Sequence, residues 1–203
     1  MNRAPYDLST SVKAEPVRRD GGTSRTAIIY RRPSAVSPMI GCWRPRLLSV
    51  EPIRRFDPQS YSDALESWGW LADLDGMSPT FANAFGDLFV QAPDGSFSFL
   101  STLDGTLEHL WPDAAALQAA INTREAQDEF LIIGLVQDAA AAGLEPGPAE
   151  VLAFKVAPAL GGEVAVDNLE LADFVVTVNV AGQIHEQIKN LPPGTSISGL
   201  TIS

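Results

Sequence analysis

The sequence predicts an α+β domain, an antiparallel meander with covering helices, spanning residues 58–203. Three observations carry that expectation. The stretch "FGDLFVQAPDGSFSFLSTLDGTLEHLW" alternates apolar-rich runs at 88–90, 97–100 and 107–111 with Asp94-Gly95 and Asp104-Gly105. Asp-Gly between strand-like runs marks a hairpin, because glycine takes the positive φ of a tight turn. Beyond the meander the period changes from strand-like to helix-like. A chain of 203 residues with 45% apolar and 19% charged content also has enough apolar material for one sizeable core or two small ones.

The elements follow in order. "SYSDALESWGWL" reads as a short helix capped by Ser60 or Ser62, with Ala64, Leu65 and Trp68 on one face. The meander comes next. After Pro112, "DAAALQAAI" is a helix with Asp113 at its positive N-terminal end. Asn122 and Glu125 form a cap-like pair before a second helix, which runs to about Ala142 and stops at Gly143. "EVLAFKV" is a strand, residues 158–162 are a loop, and "EVAVDNLEL" reads as strand then turn. Between 171 and 190 the valines favour strand. However, Leu171, Phe174, Val175, Val178, Ala181, His185 and Ile188 keep 3-4 spacing, so the segment is expected to be a helix, ended by "LPPG".

Residues 1–57 are a different material, a low-complexity basic segment. Over 1–60 the chain carries 11 basic and 5 acidic residues; over 61–203 it carries 3 and 20, within an overall charge of −11. The first 38 residues show no sustained apolar period and bury too little to offset the entropy of ordering them. The segment reads as a disordered tail or an over-extended start, with Met39 rather than Met1 as the true beginning; the functional alternative is a basic arm for nucleic acid or membrane. No apolar run reaches the length of a membrane span, and no apolar stretch follows the N-terminal arginines as in a signal peptide. The single cysteine, Cys42, excludes an internal disulfide framework and a cysteine-cluster zinc site. A cytoplasmic location is expected.

The candidate chemistry is thin. "HEQIK" at 185–189 invites comparison with the two-histidine zinc helix, but Lys189 stands where the second imidazole belongs, and the other histidine, His109, lies in the meander. His185 is therefore expected at the edge of the core, bonded through one ring nitrogen. The Asp-Gly pairs lack the ligand spacing of an EF-hand and read as turns. No phosphate-binding glycine loop and no nucleophile elbow occurs. No catalytic residue, metal site or cofactor is assigned. What remains is a strongly acidic domain, suited to meeting a basic partner and not to binding DNA itself.

The segments "FANAFGDLFVQAPDGSFSFLSTLDGTLE", "VLAFKVAPALGG" and "VDNLELADFVVTVNVAGQIHEQIKNLPPGT" resemble, in order and spacing, the C-terminal domain of type VI secretion immunity proteins of the Tdi type. The likeness covers residues 65–200, and its closing GQIHEQ-x-x-x-LPPG signature is the most specific part. It implies a non-enzymatic protein that binds and neutralises a cognate toxin, a DNase in the best-known case, with kinship to the Smi1/Knr4 immunity fold. It also implies structural roles for Gly182, Gln183, His185, Glu186, Gln187, Pro192, Pro193 and Gly194. Family members often carry a further N-terminal domain, for which the segment before residue 60 is too short. The acids Asp94, Asp104, Glu108 and Asp113 are the expected partner contacts. The alternatives are a small-molecule or nucleotide-binding regulatory domain, and an enzyme with an unrecognised carboxylate site.

Overall fold

The computed structural model describes residues 50–192, 195 and 199–202. The readings made for residues 1–49, Cys42 and the Met39 start among them, and for Pro193 and Gly194, lie outside the described residues.

The expected α+β meander is present. Strands β1 (Ile53–Arg54), β2 (Ser78–Asn83), β3 (Leu88–Gln91), β4 (Phe97–Ser101) and β5 (Thr106–Trp111) lie side by side in chain order, each antiparallel to the next. Gly95 and Gly105 turn the last two hairpins at φ 90° and 66°. Because side chains alternate along a strand, Phe81, Phe89 and Phe99 share one face of the sheet while Ala82, Leu88 and Leu100 share the other. The aromatic face packs on α2 (Ala114–Ile121) and α3 (Arg124–Phe130). The second face packs on α1 (Pro58–Leu65) and α5 (Phe174–Ile188). β3 and β4, covered on both sides, are buried throughout save for Gln91. A third apolar cluster joins α4 (Ile133–Ala141) to a small antiparallel pair, β6 (Glu150–Phe154) and β7 (Leu169–Asp173). The amide of Leu152 in β6 donates to the Ala84 carbonyl, tying this pair to the β2–β3 turn.

Several expectations need correction. The folded body begins earlier than residue 58: Val50 is buried, β1 pairs with β2, and the Phe56 ring stacks on Phe174 at 3.7 Å. Helix α1 is capped by Asp57, which accepts from the amides of Gln59 and Ser60, rather than by Ser60 or Ser62. Thr123, not Asn122, caps α3. The single helix expected up to Ala142 is two, α3 and α4, broken at Ile132 with φ 47°. A β-branched residue is strained there. Asn83 Nδ2 donates to the Phe130 carbonyl beside this break, taking up a carbonyl at the end of α3. "EVAVDNLEL" is turn then strand, so Leu171 belongs to β7 and α5 starts at Phe174. β2 was not anticipated at all.

The two ends of the large sheet are blunt. β1 has two residues, and on β5 the register shift opposite Phe97 and Ser98 leaves Leu110 unpaired just before Pro112. Short strands and bulges discourage pairing with another chain.

Candidate functional site

The motif helix α5 is stitched to the segment that follows α1. Trp68 Nε1 donates to the Val178 carbonyl at 2.9 Å, Ser67 Oγ to Asn179 at 2.6 Å and Trp70 Nε1 to Gly182 at 3.3 Å. Such close approach needs a bare backbone at Gly182, because a Cβ there would collide with Ser67 Oγ and the Trp68 indole. Trp68 is fully buried, between Trp70 at 5.8 Å and the His185 ring at 6.0 Å.

His185 sits deeper than the core edge expected of it: it is 7% exposed. Its ring lies so close to Gly105 in the β4–β5 turn that a Cβ at 105 would overlap it. Nε2 lies 2.9 Å from the Thr102 carbonyl, which can only accept, so Nε2 carries the proton. Burial pushes the imidazole below its ordinary pKa, against the opposing pull of the Thr102 carbonyl, Asp104 and the Leu103 carbonyl.

Behind Thr102 lies a buried polar network that the sequence did not reveal. Asp87 accepts from the Thr102 amide at 2.7 Å, from Thr102 Oγ1 at 2.6 Å and from Asn83 Nδ2 at 2.7 Å. Asn83 Oδ1 in turn receives the amides of Phe85 and Asp87. Burial raises the Asp87 pKa, while the donors from Thr102 and Asn83 pull it down. The network joins the β2–β3 turn, the β4–β5 turn and α5, and its polar atoms face one another rather than a ligand. The one visible sign of it in sequence is the polar pair Asn83 and Asp87 flanking "AFG" between apolar runs.

The rest of the motif also holds structure. Gln183 Nε2 bonds Asn179, and Glu186 lies 3.9 Å from Lys189. The Gln187 amide grips the backbone of Thr201 through both its oxygen and its nitrogen, holding the tail against α5. Pro192 follows just after the helix end. An open depression of about 370 Å³ beside α5 is lined by Trp70, Leu103, Asp104, His185, Ile188 and Lys189. Lys189 Nζ lies 5.1 Å from the Trp70 ring.

The four expected contact acids are not one patch. Asp94 and Asp104 lie in turns at opposite ends of β4, whose five residues span about 17 Å. Asp113 stands near the Asp94 end, capping α2 through the Ala116 amide at 2.8 Å, and Glu108 lies between on β5. Asp94 accepts from the Ser96 hydroxyl and amide, which hold its carboxyl below the usual range. Asp104 takes a 3.3 Å bond from Ser101 Oγ. His109 Nδ1 shares a hydrogen bond with Ser98 Oγ at 2.8 Å, away from His185. Among the described residues no group of three His, Cys, Asp or Glu could hold a metal ion.

The chain matches no family model and no curated protein. Among solved structures it is similar to the crystal structure of Atu4351 from Agrobacterium tumefaciens, at 14% identity and a TM-score of 0.44. That likeness covers 65% of this chain and spans 66% of the length of the other. No helix among the described residues is long and apolar enough to cross a membrane.

The depressed His185 pKa sets a pH dependence. The unfolded chain takes up the imidazole proton first, so stability present above about pH 6.5 is lost as pH falls through the lower folded pKa. Asp87, shifted upward, works in the opposite sense, its burial penalty being relieved as pH falls through its raised folded pKa, in parent and His185 variant alike. His185→Gln, which does not titrate, is expected to be less stable than the parent at pH 7.5. The gap should narrow towards pH 5 in urea melts. A gap constant with pH would contradict the burial argument.

Proposed function

We propose that this chain is a non-enzymatic immunity protein of the Tdi type. It acts in the bacterial cytoplasm and neutralises a type VI secretion toxin by covering the toxin's working surface. Kinship with the Smi1/Knr4 immunity fold belongs to the same proposal. The observation that supports the reading best is the distribution of charge. Of the twenty acids after residue 60, sixteen are exposed, against three exposed bases. Each of those bases is already engaged: Arg124 with Asp128 at 3.7 Å, Lys189 with Glu186, and Lys155 Nζ with the Asp167 carbonyl. The surface is thus a negative field with little internal neutralisation, complementary to a protein that presents Lys and Arg to phosphates, as a DNase does. Such complementarity speeds encounter and fixes orientation more than it sets affinity.

The partner is sought as the product of the gene beside the one encoding this chain. Co-purified with that product, the chain is expected to bind it with an affinity that falls steeply, roughly tenfold or more, between 50 and 500 mM salt. Binding unchanged across that range would remove the electrostatic part. A ligand-induced rise in melting temperature without any protein partner would favour a small-molecule or nucleotide-binding regulatory domain instead.

A further inference from the structure

While both ends of the five-stranded sheet are blunt, β7 has an open edge. The bonds from the Lys155 amide to the Asn168 carbonyl and from the Phe174 amide to the Ala149 carbonyl fix the phase of the β6–β7 ladder. In an antiparallel pair alternate residues exchange bonds, so Glu170 and Ala172 bond across to β6, while Leu169, Leu171 and Asp173 aim their backbone groups outward. The Leu169 amide donates to Val166 and the Asp173 carbonyl receives Thr177 Oγ1. The Leu169 carbonyl, both groups of Leu171 and the Asp173 amide have no other bond among the described residues. Glu170, Leu171 and Asp173 are exposed, and Val176, on the first turn of α5, is 58% exposed.

We infer that β7 is a docking edge for an extended basic segment of a partner protein, which adds to the small sheet as a third strand. A residue opposite Leu171 would exchange both backbone bonds with it, and a neighbour two positions away would reach the Asp173 amide, while Leu169, 2% exposed, is covered and ends the open part of the edge. Charge decides the partner's chemistry. Residues 156–188 contain five acids and no lysine or arginine, and Glu163, Asp167, Glu170 and Asp173 all stand exposed around this edge. A second copy of this acidic domain would be repelled. A strand with an apolar residue facing Leu171 and Lys or Arg beside Glu170 fits both the pleat and the charge. The inference locates where a basic partner binds and in that sense deepens the neutralisation reading. The test below involves no toxin, so its failure leaves that reading standing, and the failure of that reading leaves the edge.

The test is amide hydrogen exchange on the full chain, with a capped heptapeptide of alternating Lys and Val as probe and an alternating Glu–Val peptide as control. The amides of Leu171 and Asp173 are expected to exchange fast in the free chain and to slow with the Lys–Val peptide alone. Glu170→Lys should weaken that peptide roughly five- to tenfold. Leu171→Pro should abolish its binding, because proline removes an outward amide while leaving the bonds to β6. Equal response to both peptides, protection spread over the acidic surface, no protection at β7, or amides already protected in the free chain would each overturn the inference.

Discussion

Trp68→Ala is expected to destabilise the chain by about 4 kcal/mol, the range for truncating a fully buried large aromatic. The loss has two sources. The indole fills the space between the large sheet and α5, stacked on Trp70 and tilted against the His185 ring, and it anchors α5 through Val178. The cavity cannot collapse easily, because Gly182 already brings the two backbones close together. Urea melts followed by far-UV circular dichroism would measure the free-energy loss, and thermal melts should show a fall in Tm of about 10 °C or more. Trp68→Phe keeps most of the ring volume and loses the indole donor, so it should cost clearly less. A loss below about 1.5 kcal/mol for the alanine variant would mean that α5 is held mainly by something other than this anchor.

Asp87→Ala is expected to cost about 3 kcal/mol. The carboxylate carries a burial penalty, seen in its raised pKa, so its bonds are worth less than their sum. Removing it nevertheless leaves the Thr102 amide without that acceptor in a buried site, and buried unsatisfied donors are costly. Because Thr102 also offers its carbonyl to His185, the damage should spread to the β4–β5 turn and the end of α5. Hydrogen exchange should speed up at Leu103, Asp104 and Gly105 well before global unfolding. Stability equal to the parent would mean that the burial penalty cancels the network's bonds.

What the sequence made legible were features with a local cause. The two Asp-Gly hairpins, the Asp113 cap of α2 and the stop at Gly143, with its φ of 83°, each follow from residues within a few positions. β2 was hidden because Pro79 reads against a strand and the register shifts between Pro79 and Phe81. The break at Ile132 was hidden inside a continuous apolar run at 130–136, where nothing local marks the left-handed residue. Leu171 keeps helical spacing with Phe174 and Val178 although it lies in β7, so period alone set the helix start too early. The site divides in the same way. That His185 serves packing and bonds through a ring nitrogen followed from the absence of a second imidazole one turn on. In the Asn83–Asp87–Thr102 network only the Asn83–Asp87 pair is local; Thr102 lies fifteen positions beyond Asp87 and is brought to it by the meander, which no pattern along the chain encodes. The separation of Asp94 from Asp104, by contrast, was legible, because the strand-like run at 97–100 already stood between the two Asp-Gly turns.

The central claim is that this chain acts by occupying a partner's surface and not by turnover. A titration tests it most directly: the toxin proposed as its partner is held at fixed concentration, well above the Kd, and its residual activity is measured as this chain is added. The account predicts a linear fall to zero at one chain per toxin, with active toxin recovered once the complex is taken apart in high salt. Complete inactivation by a small fraction of an equivalent, growing with time, would show a catalytic act and contradict it.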